Sequence, residues 1–179
     1  PVATLIGHKA LINHVAFSPD GTRLVSGSKD RSALVWSLPE RLKLERLKGH
    51  RDDVSCLAIH PDGELLATGS WDSTIRLWRL SDGELLDTLG ATDINEGHSG
   101  WVSCLAFSPD GKILASGGFD STVRLWSVPG GAPLKALEGH SDRITCIRFT
   151  SDGRTLISGS GDKTLRLWRS ELARLRRVP

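Results

Sequence analysis

The chain has 179 residues, 39% hydrophobic and 25% charged, an ordinary globular balance that excludes a disordered polypeptide. Its 23 Lys and Arg against 21 Asp and Glu leave a net charge of +2, too weak a basic field for a general nucleic-acid binder. No apolar run approaches the roughly 18 residues that a membrane helix needs, and no signal-peptide core stands at the start. Much of the positive charge is terminal: Arg169, Arg174, Arg176 and Arg177 against Glu171. Pro1 stands first and Met is absent, which leads to the expectation of a processed product or a segment of a longer chain.

Residues 2–6 read as a short strand that arrives before Gly7-His8. The same Gly-His pair returns at Gly49-His50, Gly97-His98 and Gly139-His140, at intervals of 42, 48 and 42 residues, and Trp36, Trp78, Trp126 and Trp168 each follow their His by 28. Between them stands one turn in four versions: Ser18-Pro19-Asp20-Gly21, His60-Pro61-Asp62-Gly63, Ser108-Pro109-Asp110-Gly111 and Thr150-Ser151-Asp152-Gly153. A further Asp follows each turn, at Asp30, Asp72, Asp120 and Asp162. So many landmarks held in register mark an internal repeat.

The third unit shows how each copy reads. Residues 101–107 are strand formers that end at a Pro-Asp-Gly turn. Residues 113–116 make a second strand, 117–121 a tight connection, 122–126 a third strand and 134–137 a fourth. No 3.6-residue period is long enough for a core helix, so the class is all-β. A four-stranded antiparallel sheet of this size cannot bury both apolar faces alone. Copies must stack face to face, and radial stacking gives a β-propeller. The last clear strand ends at Trp168, so residues 1–169 hold four repeats, and 170–179 are a basic tail or the start of a further strand.

Gly-His, then Ser-Pro-Asp-Gly, then Leu-Ala-Ser-Gly-Gly-Phe-Asp, then Val-Arg-Leu-Trp resembles the WD-repeat β-propeller family across about residues 2–169. The chain departs from that pattern in one place, where Ser37, Arg79, Ser127 and Arg169 stand in for the Asp that usually follows the Trp. The resemblance implies a buried relay in each blade: His8, Ser26, Asp30 and Trp36; His50, Thr68, Asp72 and Trp78; His98, Ser116, Asp120 and Trp126; and His140, Ser158, Asp162 and Trp168. Indole would donate to hydroxyl, hydroxyl to imidazole and imidazole to carboxylate, so that each polar atom has a partner away from water. His, Ser and Asp together also suggest nucleophilic catalysis. Fourfold recurrence favours a structural clamp, because an active site is needed once and a blade clamp in every blade.

Cys56, Cys104 and Cys146 each lie six residues after their His, with His14 in that slot of the first unit. One blade apart, they are poorly placed for a disulfide and lack the spacing of a zinc site. They read as small buried hydrophobes in a reducing, cytoplasmic setting. Arg76, Arg124 and Arg166 share one strand position and read as charged heads that snorkel to solvent or pair with a neighbour. No cofactor or metal is implied.

The resemblance also places a partner-binding face on the loops between units and between second and third strands. Its lining positions are Leu11, Asn13 and Lys29; Asp53, Ser55 and Trp71; Trp101, Ser103 and Phe119; and Arg143, Thr145 and Gly161. Trp71, Trp101 and Phe119 stand out, since nothing in the fold demands rings at turns, and such anchors dominate interfaces. Lys29, Asp53 and Arg143 would orient a partner around them. The six extra residues before Gly97 would bring Asp93 and Glu96 to the same side as an acidic lip. The function expected is a non-catalytic scaffold for a protein or peptide, without general nucleic-acid or membrane binding. The alternatives are a ligand-sensing or regulatory segment of a larger signalling protein, and an enzyme with a site in the central channel, for which no unrepeated catalytic residue is evident.

Ring closure leaves three arrangements. The four blades are an open arc within a longer chain, half of a two-chain, eight-bladed homodimer, or, ranked last, a closed four-bladed monomer. Residues 2–6 would serve as the fourth strand of the last blade if the ends meet.

Overall fold

The computed structural model describes residues 2–90 and 97–169. Its strands are β1 (Ile12–Phe17), β2 (Arg23–Ser28), β3 (Ser32–Ser37), β4 (Leu42–Lys48), β5 (Val54–Ile59), β6 (Leu65–Ser70), β7 (Ile75–Arg79), β8 (Leu85–Leu89), β9 (Val102–Phe107), β10 (Ile113–Gly118), β11 (Val123–Ser127), β12 (Pro133–Leu137), β13 (Ile144–Phe149), β14 (Leu156–Ser160) and β15 (Leu165–Trp168). They form three four-stranded antiparallel meanders, β1–β4, β5–β8 and β9–β12, and a three-stranded one, β13–β15. Among the described residues there is no helix. The result is all-β, four blades of a partial propeller.

The turn between first and second strands follows from its side chains. Ser18 Oγ donates to Asp20 Oδ1 at 2.5 Å, and the Gly21 amide closes on the Ser18 carbonyl at 2.9 Å. Gly21, Gly63, Gly111 and Gly153 all take φ between +64° and +81°, where a Cβ would be strained. This fixes hairpin register, and with it which side chains reach each face.

Successive blades adjoin through their first strands, β1 on β5, β5 on β9 and β9 on β13. Each interface buries its own core. Val25, Val35 and Leu47 meet Val54, Leu66 and Trp78; Ala67, Ile75 and Leu77 meet Val102, Leu114 and Trp126; Ala115, Val123 and Leu125 meet Ile144, Ile147 and Leu156. Aliphatic side chains fill each interface from both sheets, joined by an indole in the first two, the close packing that a layered core requires.

The arc has two ends. On the first blade Ile12, Val15 and Phe17 are 54%, 50% and 63% exposed, and on the last Leu165 and Leu167 are 69% and 67%. Residues 2–6 correct one expectation: they form no strand, with Val2 and Ile6 left exposed. A strand can pair only with an edge beside it, and β15, which has no fourth strand among the described residues, belongs to the opposite end of the arc. The tail 170–179 lies outside the described residues.

Candidate functional site

Two constructions meet on one face: a clamp buried in each blade, and a row of side chains laid over the turns that the clamp holds. In the clamp, Trp36 Nε1 donates to Ser26 Oγ at 2.8 Å, Ser26 Oγ lies 2.8 Å from His8 Nε2, and His8 Nδ1 lies 2.9 Å from Asp30 Oδ2. The same chain links Trp78, Thr68, His50 and Asp72 (2.9, 2.7 and 2.9 Å). It recurs through Trp126, Ser116, His98 and Asp120 (2.9, 2.8 and 2.9 Å). In the last blade it runs through Trp168, Ser158, His140 and Asp162 (2.9, 2.8 and 2.7 Å). The four hydroxyl residues are at most 2% exposed.

Two further members of this network are not among the residues singled out from the sequence. Each Asp also accepts the amide that follows the His, from Lys9, Arg51, Ser99 and Ser141. It accepts as well the amide and hydroxyl of the Ser or Thr two residues on, Ser32, Thr74, Thr122 and Thr164. Burial pushes these carboxyls up, but the hydrogen bonds from histidine, hydroxyl and amide outweigh it and hold all four well below 3.8, with Asp120 at about 2. Each Asp therefore ties the turn before its third strand to the Gly-His loop. The repeated Thr at 74, 122 and 164 was the available signal for this.

Over those turns, Trp71 and Trp101 stack at 4.2 Å with planes 7° apart, and Phe119 continues the row at 5.0 Å and 49°. Lys29 Nζ sits 5.5 Å from the Trp71 ring centre and Arg143 Cζ 5.3 Å from that of Phe119. One unbroken row, cation–aromatic–aromatic–aromatic–cation, thus crosses all four blades. Trp101 and Phe119 remain 40% and 41% exposed. Asp53 is buried under the row, with Oδ2 3.9 Å from Lys29 Nζ.

Other expected lining positions are used between blades. Asn13 Nδ2 donates to the Val54 carbonyl at 3.1 Å, Ser55 Oγ to that of Val102 at 2.5 Å, and Ser103 Oγ to that of Ile144 at 2.5 Å. At the end of the arc Thr145 Oγ1 bonds to Gly159 of its own blade, at 3.1 Å. Leu11 is exposed and Gly161 half-buried. Asp93 and Glu96 lie outside the described residues.

The strand arginines depart from simple snorkelling. Arg76 lies against Gly49 with its guanidinium 6.0 Å from the Trp78 ring, and Arg166 packs against Gly139; a Cβ on either glycine would collide with the guanidinium. A cavity of about 140 Å³ between the first strands is lined by Cys56, Cys104 and Cys146, by His14 in the equivalent slot of the first blade, and by Arg148. Cys146 is exposed, which corrects the expectation of three buried thiols: it lies on the last blade, with no following blade among the described residues to cover it. Burial, then the charge of Arg148, lowers the pKa of His14, while burial pushes the Cys104 thiol up to about 12. All three thiols are free.

The WD domain, G-beta repeat family model matches residues 1–37, 42–79, 88–127 and 131–169, the same four units that the clamps define. The chain belongs to the WD40 family. Among curated relatives, ribosome assembly protein 4 of Saccharomyces cerevisiae is 56% identical over 36 residues, 20% of this chain and 7% of that protein. Small ribosomal subunit protein RACK1 of Medicago sativa is 48% identical over 44 residues, 25% of this chain and 14% of the relative. Notchless protein homolog of Arabidopsis thaliana is 49% identical over 37 residues, 21% and 8% respectively. The matches thus span a small fraction of each relative. Each is about the length of one WD40 repeat, and so reports blade chemistry rather than a shared partner.

Proposed function

We propose that this WD40 chain is a non-catalytic interaction module whose protein or peptide partner seats on the aromatic row. The observation that carries this is the stacking of Trp71, Trp101 and Phe119 across neighbouring blades, in turns whose geometry the clamp already satisfies without a ring. Rigid, partly exposed aromatics at the centre of a face are what binding hot spots are made of. Catalysis by the His–Ser–Asp sets is disfavoured because the hydroxyls are buried beneath indoles, where a substrate has no access. A small-ligand site on the axis is disfavoured by size, since 140 Å³ falls short of the roughly 300 Å³ at which ligand pockets begin. The ribosome-related names of the relatives and the three free thiols support an intracellular, reducing setting.

The test is affinity capture with the wild-type chain and with Trp71→Ala/Trp101→Ala. The double variant is expected to lose specific partners that the wild type retains; an identical set of captured proteins removes the site. A second contact is proposed at the ends of the arc, where the exposed strands of one copy cover those of another and two chains complete an eight-bladed ring.

A further inference from the structure

We infer that the last blade of one chain receives the first strand of a second copy in the register that the blades already use within the chain, with the second copy's Ile12 seated over Gly159 and its carbonyl facing the Thr145 hydroxyl. This rests on the reading above that two copies complete a ring, and goes further by naming the contacts that close it. The three interfaces within the chain supply the template. At each, a glycine on the second strand leaves room for a β-branched residue on the first strand of the next blade. A Cβ on Gly27 would stand 2.8 Å from Val54, one on Gly69 2.7 Å from Val102 and one on Gly117 2.6 Å from Ile144. A polar side chain on the first strand then reaches the carbonyl of that same residue, Asn13 to Val54, Ser55 to Val102 and Ser103 to Ile144.

Each end of the arc carries one unmatched half of this contact. Gly159 holds the socket position on the last blade, and the nearest atoms to a Cβ there belong to its own blade, on Cys146, Leu165 and Thr145. Thr145 Oγ1 keeps the contact with its own blade that Ser55 and Ser103 make to Gly69 and Gly117. Among the described residues it has no counterpart of their 2.5 Å contacts with the next blade. At the other end Ile12 is exposed, whereas Val54, Val102 and Ile144 are fully buried. The apolar surroundings match in the same way. Leu165 and Leu167 stand bare at the positions from which Ile75 and Leu77 share a core with Leu105 of the next blade, and Val15, the counterpart of Leu105, is bare as well. Arg148 stands where Ala58 and Ala106 do inside the chain; it lines the cavity between the first strands and acts on His14 across it, so its charge is directed toward the axis. Every unmatched half at one end therefore has its complement at the other end of the same chain, the condition for a head-to-tail contact between copies that closes into a ring.

The experiment is cysteine cross-linking between copies of the whole chain in a Cys146→Ala background, which removes the thiol beside Gly159. Inside the chain a Cβ at the socket would lie 3.2 Å from that of Val102 for Gly69 and 2.9 Å from that of Ile144 for Gly117, near the spacing of about 3.8 Å that a disulfide bridges. Ile12→Cys and Gly159→Cys chains, mixed and oxidised, are expected to give a covalent dimer on non-reducing electrophoresis, while neither variant cross-links alone. Light scattering of the wild type is expected to give two chains, and Ile12→Asp to weaken their association by about tenfold or more, since a carboxylate would be buried without a partner. A wild-type dimer that tolerates Ile12→Asp, or that gives no cross-link between positions 12 and 159 while the variants still dimerise, would overturn this register and leave the two-copy ring standing. Cross-linking of Ile12→Cys with itself, or a mass above two chains, would overturn it in favour of a face-to-face or open-ended assembly. A wild type that stays a single chain at high concentration would overturn both.

Discussion

At the residue scale, the clamp aspartates decide how the protein answers to acid. Their carboxyls titrate below 3.8 in the fold, Asp120 at about 2, so the ionised form is favoured by folding. A depressed folded pKa contributes stability that is complete above the unfolded value and is lost as pH falls through the folded one. The chain is therefore expected to hold its fold down to about pH 4 and to unfold between about pH 4 and 2, followed by tryptophan fluorescence. Asp120→Asn should be less stable at neutral pH and show a shallower acid limb. A wild-type midpoint above about pH 5 would place the cause in other groups. The aromatic row belongs to this scale too. Trp71, Trp101 and Phe119 were legible as rings without a fold requirement, but their stacking order and the capping by Lys29 and Arg143 depend on distances across blades.

At the element scale, the repeat tolerates an exchange between neighbouring strands. In the second blade Arg76 on β7 pairs with Thr88 on β8, and in the third Arg124 on β11 pairs with Ala136 on β12. In the first blade the pair is reversed, with Leu34 on β3 and Arg46 opposite on β4. Leu34 is fully buried beside Gly7, where a Cβ would meet it at 2.9 Å. Arg46 reaches the Gly7 carbonyl, Ser32 Oγ at 2.8 Å and Asp30 Oδ2 at 3.3 Å. The guanidinium thus reaches the same loop from the next strand, because directly opposed side chains share one patch of sheet surface. Arg46→Thr is expected to cost about 1–3 kcal/mol, the range for a buried polar group left unpaired. Leu34→Arg/Arg46→Thr, which copies the second blade, should recover most of that loss in a thermal melt. A double variant no more stable than Arg46→Thr would show that the two strand positions are not equivalent.

At the scale of the whole molecule, the exposed leucines of β15 and the exposed Ile12 and Val15 of β1 occupy positions that are buried between blades elsewhere, and exposed Phe17 one that is half-buried there. Patches of this kind are seldom left to solvent. Light scattering is expected to give twice the 19.4 kDa of one chain, and Leu165→Lys/Leu167→Lys to return the single-chain mass. A wild-type chain of 19.4 kDa at high concentration would rule out self-closure.

The sequence by itself determined the repeat, the all-β class and the order of strands and turns, because these depend on patterns within one unit of about 42 residues that recur at fixed offsets; the partners in each clamp came from the family resemblance that those patterns carry. Only the tertiary structure decided what the unit does at its borders. It assigned Asn13, Ser55 and Ser103 to carbonyls of the next blade, brought His14 and Arg148 into one axial cavity and left residues 2–6 unpaired. The physical reason is one of range. Hydrogen bonds within a hairpin are set by local spacing, whereas stacking between blades depends on the angle at which sheets meet, which no single repeat encodes.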